Sequence, residues 1–257
     1  MLFKDTPYCP PQIPHQDYEE RVVAFIDVLG FSDLVAHSSG DIHSLCRLTS
    51  ALDAFYNLLW EYEADGIKSS FAFTQFSDSI VVSALADSKD SFEMVQQLLR
   101  GIILLAFDYG IFVRGGIAKG QLIHDETMLV GPAMVEAYRL ESKAAIYPRV
   151  ILSEELKLEF DEGVAKYIEN YTTLEGIPAQ NFIFSKDEDG WWYLDYIKPP
   201  FEFINISRCI QSMEEYRCRL QEIASTRIQS DDMRVKAKYR WLDRVLSEKY
   251  NKIDTNQ

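Results

Sequence analysis

The sequence predicts an α+β fold in which a mainly antiparallel sheet carries its helices on one face. Two long stretches repeat apolar residues at helical spacing, and short β-rich runs separate them in the order β-α-β-β-α-β. A turn signal within Phe76–Ser79 joins the two middle runs as a hairpin.

Residues 1–18 hold four prolines and little periodicity, and read as an irregular arm. Arg21–Asp27 is a strand without polar alternation, the pattern of a central strand buried on both faces. From Ile42 to Tyr62, Leu45, Leu48, Leu52, Phe55, Leu59 and Tyr62 recur at helical spacing. Ser70–Gln75 and Ile80–Leu85 are the hairpin strands. A second helix spans Ser91–Asp108, with Phe92, Val95, Leu99, Ile102 and Ile103 inward. Ile111–Gln121 is a strand broken by Gly115, Gly116 and Gly120, where backbone or ligand must come close. Met128–Val130 returns as a short strand, and Pro132 opens a helix reaching Ser142. Arg149–Leu152 is the next strand, with Ser153 as N-cap of Glu154–Phe160. Asn181–Ser185 and Trp191–Ile197 flank a hairpin turn at 186–190.

Element order and lengths make this core ferredoxin-like, placed at 19–200. Residues 201–257 read as a helical extension. Its second helix starts at Ser230, with Met233, Ala237, Trp241 and Val245 on one inward face.

Composition narrows the function. The chain has 257 residues, 47% hydrophobic, and a formal net charge of −14. That charge disfavours nucleic acid and anionic membrane as partners. No apolar run approaches the length of a membrane span, and no secretory leader is expected. The four cysteines lack zinc spacing or a disulfide framework, so the expected location is cytoplasmic.

The chemistry centres on two aspartates. Asp27 ends an apolar strand, where a charge needs a partner. Gly30 follows, and Phe31-Ser32-Asp33 begins a segment whose N–H groups can face a phosphate. Asp78 sits at the tip of the central hairpin. The ferredoxin-like order places that tip beside the end of the first strand, so Asp27 and Asp78 converge. Paired carboxylates of this kind hold Mg²⁺ or Mn²⁺. Arg114 reads either as a phosphate or base contact or as a structural ion pair. Lys143 and Lys198 read as solvated lysines, Trp191-Trp192-Tyr193 as hairpin packing, and the four histidines carry no assignment.

Phe25-x-Asp27-x-x-Gly30-Phe31 resembles the first metal motif of the class III nucleotidyl cyclases, and Phe76-Ser77-Asp78-Ser79 the second. Gly131–Ser142 is similar to the family's helix bearing a transition-state arginine, here Arg139. The order of Arg114-Gly115-Gly116-Ile117 and Pro148–Ser153 around that helix also agrees, and the resemblance covers Arg21 to Ile197. It implies a class III cyclase core. It also implies two divalent ions, Mn²⁺ or Mg²⁺, on Asp27, Asp78 and the Val28 carbonyl, and a nucleoside triphosphate near Gly30, Phe31 and Arg114. The homodimer it implies is head-to-tail, with Arg139 acting across the interface.

The positions that read the base in purine cyclases hold Thr74 and Met128, and the usual ribose asparagine is Val135. These residues resemble those of bacterial pyrimidine cyclases. That resemblance implies a uridylate cyclase converting UTP to cyclic UMP and pyrophosphate, whose product activates a separate effector in antiphage defence. The alternatives are a cytidylate cyclase, a purine cyclase, and a nucleotide-binding sensor without turnover.

Overall fold

A computed structural model describes residues 17–60, 70–87, 89–170, 183–204 and 210–251. The chain runs through β1 (Glu19–Val28), α1 (Phe31–Ser38), α2 (Ile42–Trp60), β2 (Ala72–Phe76), β3 (Ser79–Leu85) and α3 (Asp90–Asp108). It continues through β4 (Val113–His124), β5 (Leu129–Val130), α4 (Pro132–Lys143), β6 (Val150–Leu152) and α5 (Glu154–Asn170). The last elements are β7 (Phe184–Lys186), β8 (Trp192–Leu194), α6 (Phe201–Ile204), α7 (Met213–Ile228) and α8 (Met233–Asn251).

The sheet is ordered β2-β3-β1-β4-β6-β8-β7, with β5 paired to β4 outside that path. Every pairing is antiparallel except β4 with β6. The β2-β3-β1-β4 portion is the ferredoxin-like arrangement expected from the β-α-β-β-α-β order, and the fold class is α+β as expected.

Strand β1 is central because both of its faces are apolar. Val22, Ala24 and Ile26 pack into the main core with Phe55 of α2 and Met94, Leu98 and Leu99 of α3. Val23 and Phe25 point the other way, into a smaller cluster with Val81, Ala118, Leu122, Ala133 and Ala137. Helix α4 therefore lies on the face opposite α2 and α3, an addition to the one-faced arrangement. Gly116 permits this: a Cβ there would sit 2.4 Å from the Leu140 Cβ and 2.5 Å from the Ala137 oxygen. The close approach anticipated at the strand glycines is thus, at Gly116, that of a helix.

Other elements differ in detail. α1 and α6 lacked a clear periodic signal and are short. Leu45 is exposed rather than inward, since α2 begins beyond the edge of the core. In α8, Trp241 and Val245 are buried as expected, but Met233 and Ala237 are exposed. The helix starts after Asp232, whose Oδ1 accepts from the Arg234 amide at 2.7 Å, and its first turns extend past the core. Ser153 caps α5, its Oγ accepting from the Leu156 amide. The arm up to residue 16, Tyr62, Asn181 and Ser207 lie outside the described residues.

A polar network fixes α8 to the sheet. Arg149, fully buried, pairs with Asp187 and Asp189 of the β7–β8 turn. Asp187 also accepts from Trp241 Nε1 at 2.6 Å and Arg244 Nη2 at 3.0 Å. Trp241 stacks on Tyr147 with ring centroids 5.5 Å apart.

Candidate active site

Pairing register brings the two aspartates together. Asp27 lies opposite Ser79 on β3 and opposite Arg114 on β4. The β2–β3 turn is two residues long, Ser77-Asp78, and its Asp78 carbonyl accepts from the Val28 amide at 3.0 Å. Ser77 adopts φ 57°, the left-handed region that a serine enters only at a cost. The hairpin tip is thereby held against the end of β1.

After Val28 the chain reverses at Gly30 (φ 74°), a backbone conformation glycine adopts freely. The Asp33 and Leu34 amides bond the Gly30 carbonyl at 3.1 Å each. The amides of Phe31 and Ser32 open α1 without an intrahelical acceptor. Asp27, Val28, Gly30, Phe31, Ser32, Asp78 and Arg114 line one cavity of about 680 Å³.

The electrostatics there are dominated by carboxylates. Arg114 Nε donates to Asp27 Oδ2 at 3.0 Å, and Arg114 Nη2 lies 2.8 Å from Glu141 Oε1 as an ion pair outside hydrogen-bond angles. Burial pushes the Asp27 carboxyl pKa up. Arg114 opposes the rise, and the charge and hydrogen bond of neighbouring Asp78 add to it. Burial likewise raises Glu141, with Arg114 opposing and Asp27 and Asp78 reinforcing. Asp27 and Glu141 thus share Arg114 while Asp78 adds a like charge beside both, an arrangement that favours an added cation.

Among the described residues, no group of three or more His, Cys, Asp or Glu is placed to hold a metal. The donors the cavity offers include the Asp27 and Asp78 carboxylates and the Val28 carbonyl, with Asp33 also on its lining. That set suits a hard divalent cation which completes its shell with water and phosphate oxygens.

Other sequence-selected residues lie elsewhere. Arg139 does not enter this cavity; it is exposed on α4 and pairs with Glu136 at 2.9 Å. Met128 is exposed in the β4–β5 turn, its amide bonded to Asp125 Oδ1 at 2.9 Å. Lys143 does not line the cavity, and Lys198 Nζ lies over the Tyr250 ring. Trp192 packs with Lys157 and Lys186 over its ring, ordinary hairpin packing.

Thr74 is also outside the cavity, and it ends a buried relay. Arg21 Nε donates to Ser83 Oγ at 2.9 Å, and Ser83 Oγ meets His124 Nδ1 at 2.8 Å. His124 Nε2 meets Thr74 Oγ1 at 3.0 Å. A buried serine proton needs an acceptor, and Nδ1 is the acceptor it has, so we assign the Nε2–H tautomer. Burial, reinforced by Arg21, lowers the His124 pKa to about 4 and keeps the ring neutral near pH 7. Thr74 Oγ1 therefore accepts from His124, which leaves its own proton free to donate.

Sequence reasoning missed Glu141, His124, Arg234 and Lys238. Glu141 follows Arg139 by two residues in a motif already singled out, but its contact with Arg114 depends on how closely α4 approaches β4. Arg234 and Lys238 of α8 line the cavity from the far end of the chain.

No family model matches the sequence, and no curated protein matches it. Solved structures similar to this chain include adenylyl and guanylyl cyclases and their relatives. One is the catalytic core of a rhodopsin-guanylyl cyclase with converted specificity in complex with ATPαS, at 15% identity over 70% of this chain and 97% of that one, TM-score 0.44. Adenylate cyclases from Trypanosoma brucei share 14% identity over 71% and 91%, TM-score 0.43. A class III adenylyl cyclase-like ATP-binding protein from Pseudomonas aeruginosa shares 9% over 93% and 72%, TM-score 0.38.

Proposed function

We propose that this chain is a metal-dependent nucleotidyl cyclase acting on a pyrimidine nucleoside triphosphate, UTP ahead of CTP. One observation carries the reading: Asp27, at the end of β1, and Asp78, in the β2–β3 turn, meet beside the start of α1 in a single cavity. Two divalent ions, Mg²⁺ or Mn²⁺, held by Asp27, Asp78 and the Val28 carbonyl, would supply Lewis acidity at the phosphates and the 3′-hydroxyl.

The chain's own groups account for the rest. Arg114, braced by Glu141, orients the Asp27 carboxylate. The Phe31 and Ser32 amides at the start of α1 bind phosphate oxygens. The ribose 3′-oxygen attacks the α-phosphorus, the bond to the β-phosphate breaks, and pyrophosphate leaves while the 3′ proton passes to solvent.

Arg139, exposed and outside its own chain's cavity, would balance the growing α-phosphate charge in the site of a second copy. Val130, Val135 and Tyr138, exposed on β5 and α4, form the apolar surface for that homodimer. Thr74, outside its own chain's cavity like Arg139, would likewise serve the site of a second copy, where its hydroxyl proton suits a carbonyl acceptor such as uracil O4 over the cytosine amino group. The cyclic nucleotide would serve as a messenger to a separate effector in antiphage defence.

A second reading, nucleotide binding without turnover, is favoured by Val135, an exposed apolar side chain where a ribose-holding asparagine is expected. Incubation of purified protein with equal ATP, GTP, CTP and UTP plus Mn²⁺, with products identified by mass, tests the proposal. Cyclic UMP with pyrophosphate is expected. A cyclic purine would overturn the base assignment, and tight binding without product would select the second reading.

A further inference from the structure

The cavity of Asp27 and Asp78 has a second wall, built from Met233, Arg234, Ala237 and Lys238 of α8. The register of this helix follows from its other end. Trp241, Leu242, Val245 and Leu246 are buried, which turns Arg234 and Lys238, one helical turn apart, toward the cavity. The anchoring of Trp241 and Arg244 to Asp187 fixes that register.

These cations differ from the other basic groups nearby. Arg114 is already engaged by Asp27 and Glu141. Among the described residues, neither Arg234 nor Lys238 forms a salt bridge, although Asp27, Asp33 and Asp78 line the same cavity. Lys238 is half-buried. Burial and the neighbouring Arg114 and Arg234 work against its charge, and Asp27 and Asp232 support it. An ammonium that is partly desolvated yet unpaired gains most from an anion of several charges.

We propose that the first turns of α8 form a polyphosphate-binding wall, with Lys238 holding the terminal phosphates of a nucleoside triphosphate and Arg234 supporting it. This rests on the cyclase reading and deepens it: the C-terminal extension supplies substrate contacts from the same chain. The cations on α8 face the aspartates across the cavity, so the triphosphate lies between them.

The test is calorimetric titration of the full chain with inorganic tripolyphosphate in the presence of Mn²⁺. Lys238→Met should weaken binding roughly tenfold or more, while Lys238→Arg should stay within about threefold of the parent. Arg240→Met removes an equal charge outside the cavity and should bind as the parent does. Arg234→Gln, at an exposed position, should weaken binding about threefold and serves should Lys238→Met fail to fold. Unchanged binding in both Lys238→Met and Arg234→Gln, with binding lost in Asp27→Asn, would overturn the α8 wall and leave the metal site standing. Absence of tripolyphosphate binding by the parent would overturn both.

Discussion

At the residue scale, the site concentrates features that oppose stability. Ser77 holds a left-handed backbone at the hairpin tip. Ser77→Gly should stabilise the fold by about 1 kcal/mol, read from the denaturant midpoint, because glycine adopts that φ without the Cβ conflict. An unchanged or lowered midpoint would contradict the strain. His124 gives a pH signature. Its folded pKa of about 4 lies below the 6.5 of an exposed histidine, so the unfolded chain binds the extra proton between those values. Stability should therefore fall as pH drops from about 6.5 toward 4, by up to roughly 3 kcal/mol, and His124→Gln should flatten that limb. Equal pH profiles for the two proteins would argue against a buried neutral ring.

At the element scale, the anchoring of α8 is the feature most open to test. Burial opposes the Asp187 charge, but Trp241, the Glu188 amide, Arg244 and Arg149 outweigh it and hold its pKa below the usual range. A carboxyl lowered in this way stabilises the fold above the unfolded value of 3.8 and loses that contribution as pH falls through its folded value. Arg149→Met leaves Asp187 short of a buried partner and should cost about 3–5 kcal/mol in chemical denaturation. A loss below about 1 kcal/mol would mean that Arg244 and Trp241 suffice to anchor the helix.

The same scale explains what the sequence could and could not reveal. The strands around Asp27 and Asp78 were legible because apolar runs and one turn signal fix their order, and that order alone makes the two residues neighbours. Arg114 was legible as a residue of interest, but its choice between ligand contact and ion pair depends on where α4 places Glu141. Lys238 was not legible. The helical pattern assigns Met233 and Ala237 to the core with Trp241, and nothing local marks where the core ends beneath α8. His124 and Thr74 are 50 residues apart in sequence, and only the folded chain brings their side chains within 3.0 Å.

At the scale of the whole molecule, the account requires two chains. Within one chain Arg139 and the Asp27 cavity are separate, so each single substitution should inactivate while a mixture recovers. Equal amounts of Asp27→Ala and Arg139→Ala, allowed to exchange subunits, should regain about a quarter of parental activity, because half of the dimers are mixed and carry one intact site. No recovery after demonstrated exchange would contradict action of Arg139 across the interface, and full activity of Arg139→Ala alone would place it outside the reaction. Among the described residues, no helix is long and apolar enough to cross a membrane.

The central claim is that Asp27 and Asp78 together form the catalytic metal site. Its most direct test is pyrophosphate release from UTP with Mn²⁺, compared among the parent, Asp27→Ala and Asp78→Ala, with circular dichroism confirming that each is folded. A loss on the order of a thousand-fold or more is expected in each variant. Activity within about tenfold of the parent in either folded variant would contradict it.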